Sequence, residues 1–215
     1  MAEARPRRVL ATLLARFDGA ALRVAPPGQA SPPLCAPTAG QPARWAPLQR
    51  WCMDGADGRP SPQTRLSVAL WTAEPDSPDA ALVEAFSRHL DGSHQLLAAG
   101  GALAGLLLRL RVKACDAAWW RPRHVSDPWD CGYVVDEPAA REALARFRPR
   151  RATLMVAIGW PEPASREVLA RLAQSSSQWA HPVRWLVVQG REPRAAQAHL
   201  AGLPLTRLQP LDTGR

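Results

Sequence analysis

The chain has 215 residues, 47% hydrophobic and 21% charged, which suffices for one ample core or for one domain with an irregular extension. Its formal charge of +8 and pI near 10.7 rest almost wholly on arginine, with Lys113 the only lysine, and the accompanying wealth of Ala, Pro and Gly is the bias of a GC-rich coding sequence. The basic residues form only short groups, at Arg5, Arg7 and Arg8, at Arg121 and Arg123, and at Arg146, Arg148, Arg150 and Arg151, which excludes a long basic tail and argues against a dedicated polyanion binder, because phosphate binding needs charge gathered on one face.

Residues Arg7 to Phe17 place Val9, Leu10, Leu13, Leu14 and Phe17 on one helical face, so a short amphipathic helix is expected to open the chain. Arg16 and Asp18 interrupt the apolar stretch and no cleavage region follows, so no secretory signal is expected. From Ala25 to Pro62 the composition turns to Pro, Ala, Gly and Gln. Prolines at 26, 27, 32, 33, 37, 42 and 47 are too close together for helix or central strand, which predicts an extended connector. Leu34, Trp45, Leu48 and Trp51 are its candidate anchors to the body of the protein.

Arg65 to Thr72 (RLSVALWT) is β-rich and partly alternating, and predicts a strand. A helix follows over Ala80 to Leu90, with Leu82, Val83, Phe86 and Leu90 on one face and Ser77 or Asp79 as its cap. Gly92 ends it; His94 to Ala99 reads as a strand, and Gly100 and Gly101 turn the chain into Ala102 to Leu110. Leu96 to Val112 is apolar and broken only by Arg109 and Arg111. It is short of the roughly 20 residues a bilayer span needs, so a buried helix or strand-helix pair is expected, with a membrane-associated hairpin as the alternative. Trp119 to Asp130 (WWRPRHVSDPWD) reads as a connecting loop packed on the core.

The pattern then sharpens. A strand over Gly132 to Val135, a helix over Pro138 to Phe147 and a strand over Ala152 to Gly159 are followed by a turn (WPEPA) and a helix over Ser165 to Ala173. A strand over Val183 to Val188, a helix over Pro193 to Leu200 and a last strand over Leu205 to Leu208 complete the series. Continuous apolar runs such as ATLMVAIG suit strands buried on both faces. The alternation predicts a Rossmann-like α/β fold, a mostly parallel sheet with flanking helices, preceded by a proline-rich irregular region. The division expected is residues 1–62 for the N-terminal helix and extension and 63–215 for the α/β domain, clearest from 130 to 212.

In such a sheet ligands bind beyond the carboxyl ends of the strands, which nominates the loops at Asp136 and Glu137, Gly159 to Glu162, and Gln189 to Glu192. Asp136, Glu162 and Arg191 are the candidate ligand-binding residues. The two carboxylates would serve as acid and base or hold a metal; alternatively each only offsets a helix dipole. No phosphate-loop motif occurs, and GGALAG at Gly100 to Gly105 lacks dinucleotide-loop spacing, so close helix packing is the expected role of its glycines. His89, Asp91 and His94 in HLDGSH have no third strong ligand beside them, so no metal is expected, and no cofactor either. Cys35, Cys52, Cys115 and Cys131 form no close pair; free thiols and no disulfide-linked partner are expected, and nothing orients Cys115 or Cys131 with His124 as a nucleophile. Trp119, Trp120, Arg121 and Arg123 interleave rings and guanidinium groups, which would bind nucleic acid or anionic membrane, or would pin the loop to the core.

Four segments, DCGYVVDEPAAREALARF (Asp130 to Phe147), RRATLMVAIG (Arg150 to Gly159), EPASREVLARLA (Glu162 to Ala173) and VRWLVVQG (Val183 to Gly190), resemble a bacterial family of uncharacterised proteins, domain of unknown function 2868, encoded beside a GTPase-like protein. The resemblance covers roughly a third of the chain. Family members carry an acidic Pro-Asp-Arg-Gly turn where Pro163, Ala164, Ser165 and Arg166 stand here, and they are longer, with transmembrane helices. The resemblance implies a non-catalytic accessory or protein-interaction domain acting with a GTPase-like partner near the inner membrane, cytoplasmic or membrane-associated. It carries over no catalytic residue. The rival expectations are a small-ligand-binding or hydrolytic α/β domain and an anionic-surface binder.

Overall fold

The structure, a computed structural model, describes residues 19–25, 40–54, 65–73, 77–98, 127–190 and 199–210. The described elements, in chain order, are α1 (Gln41–Arg44), α2 (Ala46–Met53), β1 (Leu66–Thr72), α3 (Pro78–Leu90), α4 (Ser93–Ala98), β2 (Asp130–Val134), α5 (Pro138–Ala145), β3 (Thr153–Ile158), α6 (Glu162–Ser176), β4 (Val183–Gln189), β5 (His199–Leu200) and β6 (Leu203–Leu208). The sheet runs β2-β3-β4-β1-β6-β5. Its first five strands are all parallel, and β5 folds back antiparallel on β6. The expected Rossmann-like α/β architecture is therefore present.

Side-chain alternation gives the sheet two apolar faces. On the first, Val68, Met155, Ala157, Trp185 and Val187 pack with Leu144 of α5 and Val168, Leu169 and Leu172 of α6. On the second, Ala69, Trp71, Leu154, Val156 and Leu186 pack with Leu82, Val83 and Phe86 of α3 and with Trp45, Leu48, Trp51 and Cys52 of the N-terminal segment. The chain steps β2-β3-β4 across the sheet with its helices on the first face, whereas from β1 to β2 it moves the other way with α3 on the second. Right-handed crossovers require this exchange of face when the direction of travel reverses.

Several expectations are corrected. The 25–62 connector contains α1 and α2, because Pro42 and Pro47 each fall within the first turn of a short helix, where a missing backbone N–H leaves no bond unmade. The anchors Trp45, Leu48 and Trp51 are buried. His94 to Ala98 is helical, not strand, since Asp91 accepts from the backbone N–H of Ser93 at 2.7 Å and starts a new helix after Gly92. His199 and Leu200 form β5 instead of ending a helix. The helix after β3 begins at Glu162 and runs on through the polar residues to Ser176. Ser77 is the cap of α3, its Oγ accepting from Ala80 N at 3.2 Å. The helices expected over Arg7–Phe17 and Ala102–Leu110, most of the Trp119–Asp130 loop and most of the Pro193–Leu200 helix lie outside the described residues, as do Cys35, Cys115 and His124.

Arginines rooted near the amino ends of the two central strands hold a helix C-terminus on each face. Arg65, just before β1, donates through Nη1 to the carbonyl of Ser177 after α6. Arg184 of β4 is wholly buried and donates from Nε to Cys52 O at 3.1 Å and from Nη2 to Asp54 O at 2.5 Å, at the end of α2. Both place a cation on the negative end of a helix dipole while satisfying its last carbonyls.

Residues 19–25 lie along the outer edge of β2, where Arg23 and Tyr133 exchange backbone hydrogen bonds of 2.8 and 2.7 Å. Gly132 permits the approach: a Cβ there would stand 2.7 Å from Leu22 Cβ and 3.2 Å from Arg23 O. Gly132→Ala is therefore expected to cost about 1–3 kcal/mol and to release the Arg23 and Tyr133 amides to hydrogen exchange. Unchanged protection of both would show that the edge tolerates the methyl group.

Candidate functional site

The order of strands reverses at β1 and β4. The chain leaving β1 enters α3 on the second face, that leaving β3 enters α6 on the first, and that leaving β4 reappears beyond β1 in β6. A reversal of this kind leaves a crevice at the carboxyl ends of the strands, the usual ligand position in a parallel sheet. Here that rim comprises Thr72 and Ala73, Asp136 and Glu137, Ile158 to Trp160, and Gln189 and Gly190.

Carboxylates on this rim are engaged by arginines. Asp136 follows β2 and accepts from Arg141 Nε of α5 at 2.6 Å. Its neighbour Glu137 meets Arg23 at 3.1 Å, tying segment 19–25 to the start of α5. Glu162 is the first residue of α6 and pairs with Arg166 one turn later at 2.5 Å. Asp79, in the first turn of α3, pairs with Arg44 of α1. The sequence-nominated Asp136 and Glu162 thus sit at the starts of different helices, each with an arginine of its own helix. In that arrangement they offset helix dipoles and tie elements together. Arg191, Trp119, Trp120, Arg121 and Arg123 lie outside the described residues.

Beneath the rim the packing is aromatic. Trp160 is buried, donates its indole N–H to Val134 O at 3.0 Å, and meets Trp185 edge to face at a centroid separation of 5.6 Å. Trp71 donates to Asp79 O at 3.1 Å, holding the start of α3 on the second face. Above them the crest is less closed: Ile158 is 38% exposed, and Gly159, with φ 63°, has nothing within 4 Å of where a Cβ would stand.

Thr72 and Gln189 are cross-strand partners at the last position of the β1–β4 ladder. Both are half-buried, and alternation places them on the first face with Leu70 and Val187. Neither side chain has a hydrogen-bond partner among the described residues. Sequence reasoning reached Gln189 as the start of a rim loop but passed over Thr72. Nothing in the sequence signals that the strand ending at Thr72 becomes the neighbour of one beginning more than a hundred residues later.

The amino end of the sheet holds the other titratable groups. Asp130 accepts two bonds from Arg150, at 2.6 and 2.9 Å, with Arg151 at 3.8 Å, while Arg146 pairs with Glu142. Three arginines of the 146–151 group are thus spent on internal pairs, which weakens that group as a phosphate footprint. His89 lies against Trp45 and His94 against His89, at centroid separations of 5.4 and 6.3 Å. Burial lowers the pKa of both imidazoles and raises that of Asp91, against the pull of its bonds to Ser93. No group of three His, Cys, Asp or Glu side chains among the described residues is arranged to hold a metal ion. Cys52 and Cys131 are free thiols. Burial pushes Cys52 up to about 12, partly opposed by Arg184, and pushes Cys131 well above the ordinary thiol range, which keeps both in the unreactive protonated form.

No helix among the described residues is long and apolar enough to cross a membrane; of Leu96–Val112, only the first residues fall within them, in α4. Compared with known proteins, the chain matches no family model, no curated protein and no solved structure.

Proposed function

We propose that the chain is a non-catalytic accessory or protein-interaction domain, acting with a GTPase-like partner near the inner membrane. The observation that carries the first part is the state of the rim carboxylates. Asp136, Glu137, Glu162 and Asp79 each face an arginine, an arrangement suited to fixing helix starts and tying elements together. The thiols held protonated by burial point the same way. The partner and its place near a membrane rest on the family resemblance of the β2-α5-β3-α6-β4 segment.

Affinity capture with the full chain, from cells expressing its genomic neighbours, is expected to recover a GTPase-like protein in stoichiometric amount. Doubly substituted Asp136→Asn/Glu162→Gln chain should recover the same partner and lose only about 0–1 kcal/mol of stability, as exposed ion pairs do. Turnover of a nucleotide or an ester by the purified chain, abolished by that double substitution, would sink the proposal in favour of a hydrolytic α/β domain. The anionic-surface alternative predicts binding to DNA, RNA or anionic vesicles that weakens steeply as salt rises.

A further inference from the structure

The corner between α3 and α4 is built around two imidazoles. α3 ends at Leu90, Gly92 turns the chain at φ 82°, and α4 starts at Ser93, whose backbone N–H donates to Asp91 Oδ1 at 2.7 Å. A helix this short does not persist by itself in water, so α4 depends on what holds it to α3. Besides the Asp91 bond there is a run of rings: His89 lies 5.4 Å from Trp45 and His94 6.3 Å from His89, between centroids. His94 Nδ1 is buried and has no hydrogen-bond partner among the described residues. A neutral imidazole tolerates that place by carrying its proton on Nε2 and leaving Nδ1 a bare acceptor, whereas an imidazolium has an N–H on both nitrogens. The added N–H would be a buried donor without an acceptor, beside a second imidazole.

The charged and titratable groups described around His94 do little to relieve this. Arg88 of α3 and His89 oppose a charge there, and Asp91 favours one. Arg88 is paired with Glu84 at 2.8 Å. Asp91 has one oxygen engaged by Ser93 and is itself pushed toward its neutral form by burial. Beyond Asp91, Cys131 of β2 stays a protonated thiol and Asp130 is matched by Arg150. On the side of Trp45, Arg44 is matched by Asp79. The indole face of Trp45 partly offsets the cost of charging His89, so the proton that strains the corner is the one on His94.

We propose that the His89–His94 pair is an acid-sensitive latch: protonation of His94 detaches α4 from the end of α3 while the sheet stays folded. Burial first, and then the neighbouring His89, hold His94 below its ordinary pKa of 6.5, with Asp91 opposing them. The docking of α4 that depends on a neutral His94 is therefore fully present above 6.5 and is lost as pH falls toward the lower value of the docked ring. Asp91 has the opposite sign. Its raised pKa favours the docked corner as pH falls through it, so its protonation does not produce the release. The sheet is independent of the latch because its two apolar faces are packed by α2, α3, α5 and α6, and local opening of a weakly held element leaves such a core intact.

The test is amide hydrogen exchange of the full chain, read by NMR at about pH 7.5 and about pH 5.5 and corrected for the intrinsic rates, together with titration of the His94 ring. The Gln95 amide donates to Gly92 O at 3.0 Å and reports on α4. Its protection is expected to fall at least about fivefold at the lower pH, the weight of one buried donor left unpaired, while the amides of Val156 in β3 and Leu186 in β4 keep theirs. His94→Gln retains a polar side chain but removes the titration, and should abolish the pH dependence; His94→Leu serves the same purpose if that chain fails to fold. His89→Gln removes the neighbouring like charge and should raise the His94 pKa. A His94 pKa at or above 6.5, Gln95 protection that pH leaves unaltered, or a pH dependence that persists without His94 overturns the proposal. Loss of protection at Val156 and Leu186 together with Gln95 overturns it as well, since the release would then be global unfolding.

Discussion

Replacing Arg184 by Met is expected to destabilise the chain by about 2–4 kcal/mol, because two helix-end carbonyls, that of Cys52 in a buried bond and that of Asp54 in a part-buried one, would lose their donor. Arg184 is wholly enclosed, and its guanidinium spans the carbonyls of Cys52 and Asp54. Burial pulls its pKa downward, with Cys52 and Asp54 opposing the shift; arginine nevertheless keeps its charge in such settings. A buried ion can often be exchanged for an apolar side chain without loss, but only when its partners leave with it. Here the partners are backbone carbonyls and cannot leave. Arg184→Lys should recover only part of the loss, since an ammonium group lacks the planar fork that reaches two carbonyls at once. Urea unfolding followed by tryptophan fluorescence would register the effect as a lower midpoint at an unchanged slope. A shift worth less than about 0.5 kcal/mol, the size of an ordinary surface substitution, would mean that α2 does not need the guanidinium.

Trp45→Ala should be still more damaging, at about 3–5 kcal/mol. Trp45 is buried between α1 and α2, with Phe86 at 5.9 Å and His89 at 5.4 Å between ring centroids, so truncation opens the second face where the N-terminal segment meets α3. The substitution also carries a titration signature. His89 is held below its ordinary pKa of 6.5 by burial, so in the native chain the protonated form is disfavoured. The corresponding stability is fully present above the unfolded-state pKa and is lost as pH falls from about 6.5 toward the lower folded-state value. Removing the indole exposes the imidazole, which should bring the His89 pKa back up and flatten that part of the stability profile. An NMR titration of His89 reads this directly. An unmoved His89 pKa in the Trp45→Ala chain would show that the desolvation comes from elsewhere.

Both substitutions act on a segment that sequence patterning assigned to an extended connector. Its prolines argue against regular structure when they are counted, yet Pro42 and Pro47 fall in first turns, and position within a helix is not visible before the helix boundaries are. The opposite case is the stretch from β2 to β4. Its apolar runs are long and punctuated by proline-led helix starts, and strand, helix and burial all emerged within a residue or two of expectation, apart from the longer α6. Local signals sufficed there because each element follows its neighbour in chain and in space. Gly132 lay between these extremes: a glycine inside a strand marks a close backbone approach, but not which segment approaches.

The rim was legible only in part. A parallel sheet directs attention to strand ends, which put Asp136, Glu162 and Gln189 under consideration, but a sequence does not say which arginine will meet which carboxylate. Alternation of apolar runs, turn residues and helix caps therefore established the fold class, because those signals operate over a few residues. The central place of β1, the burial of Arg184 against α2, the pairing of the rim carboxylates and the meeting of Thr72 with Gln189 were decided by the tertiary structure. Each depends on contacts between segments far apart in the chain, whose adjacency follows from packing two apolar faces of one sheet and not from any local preference.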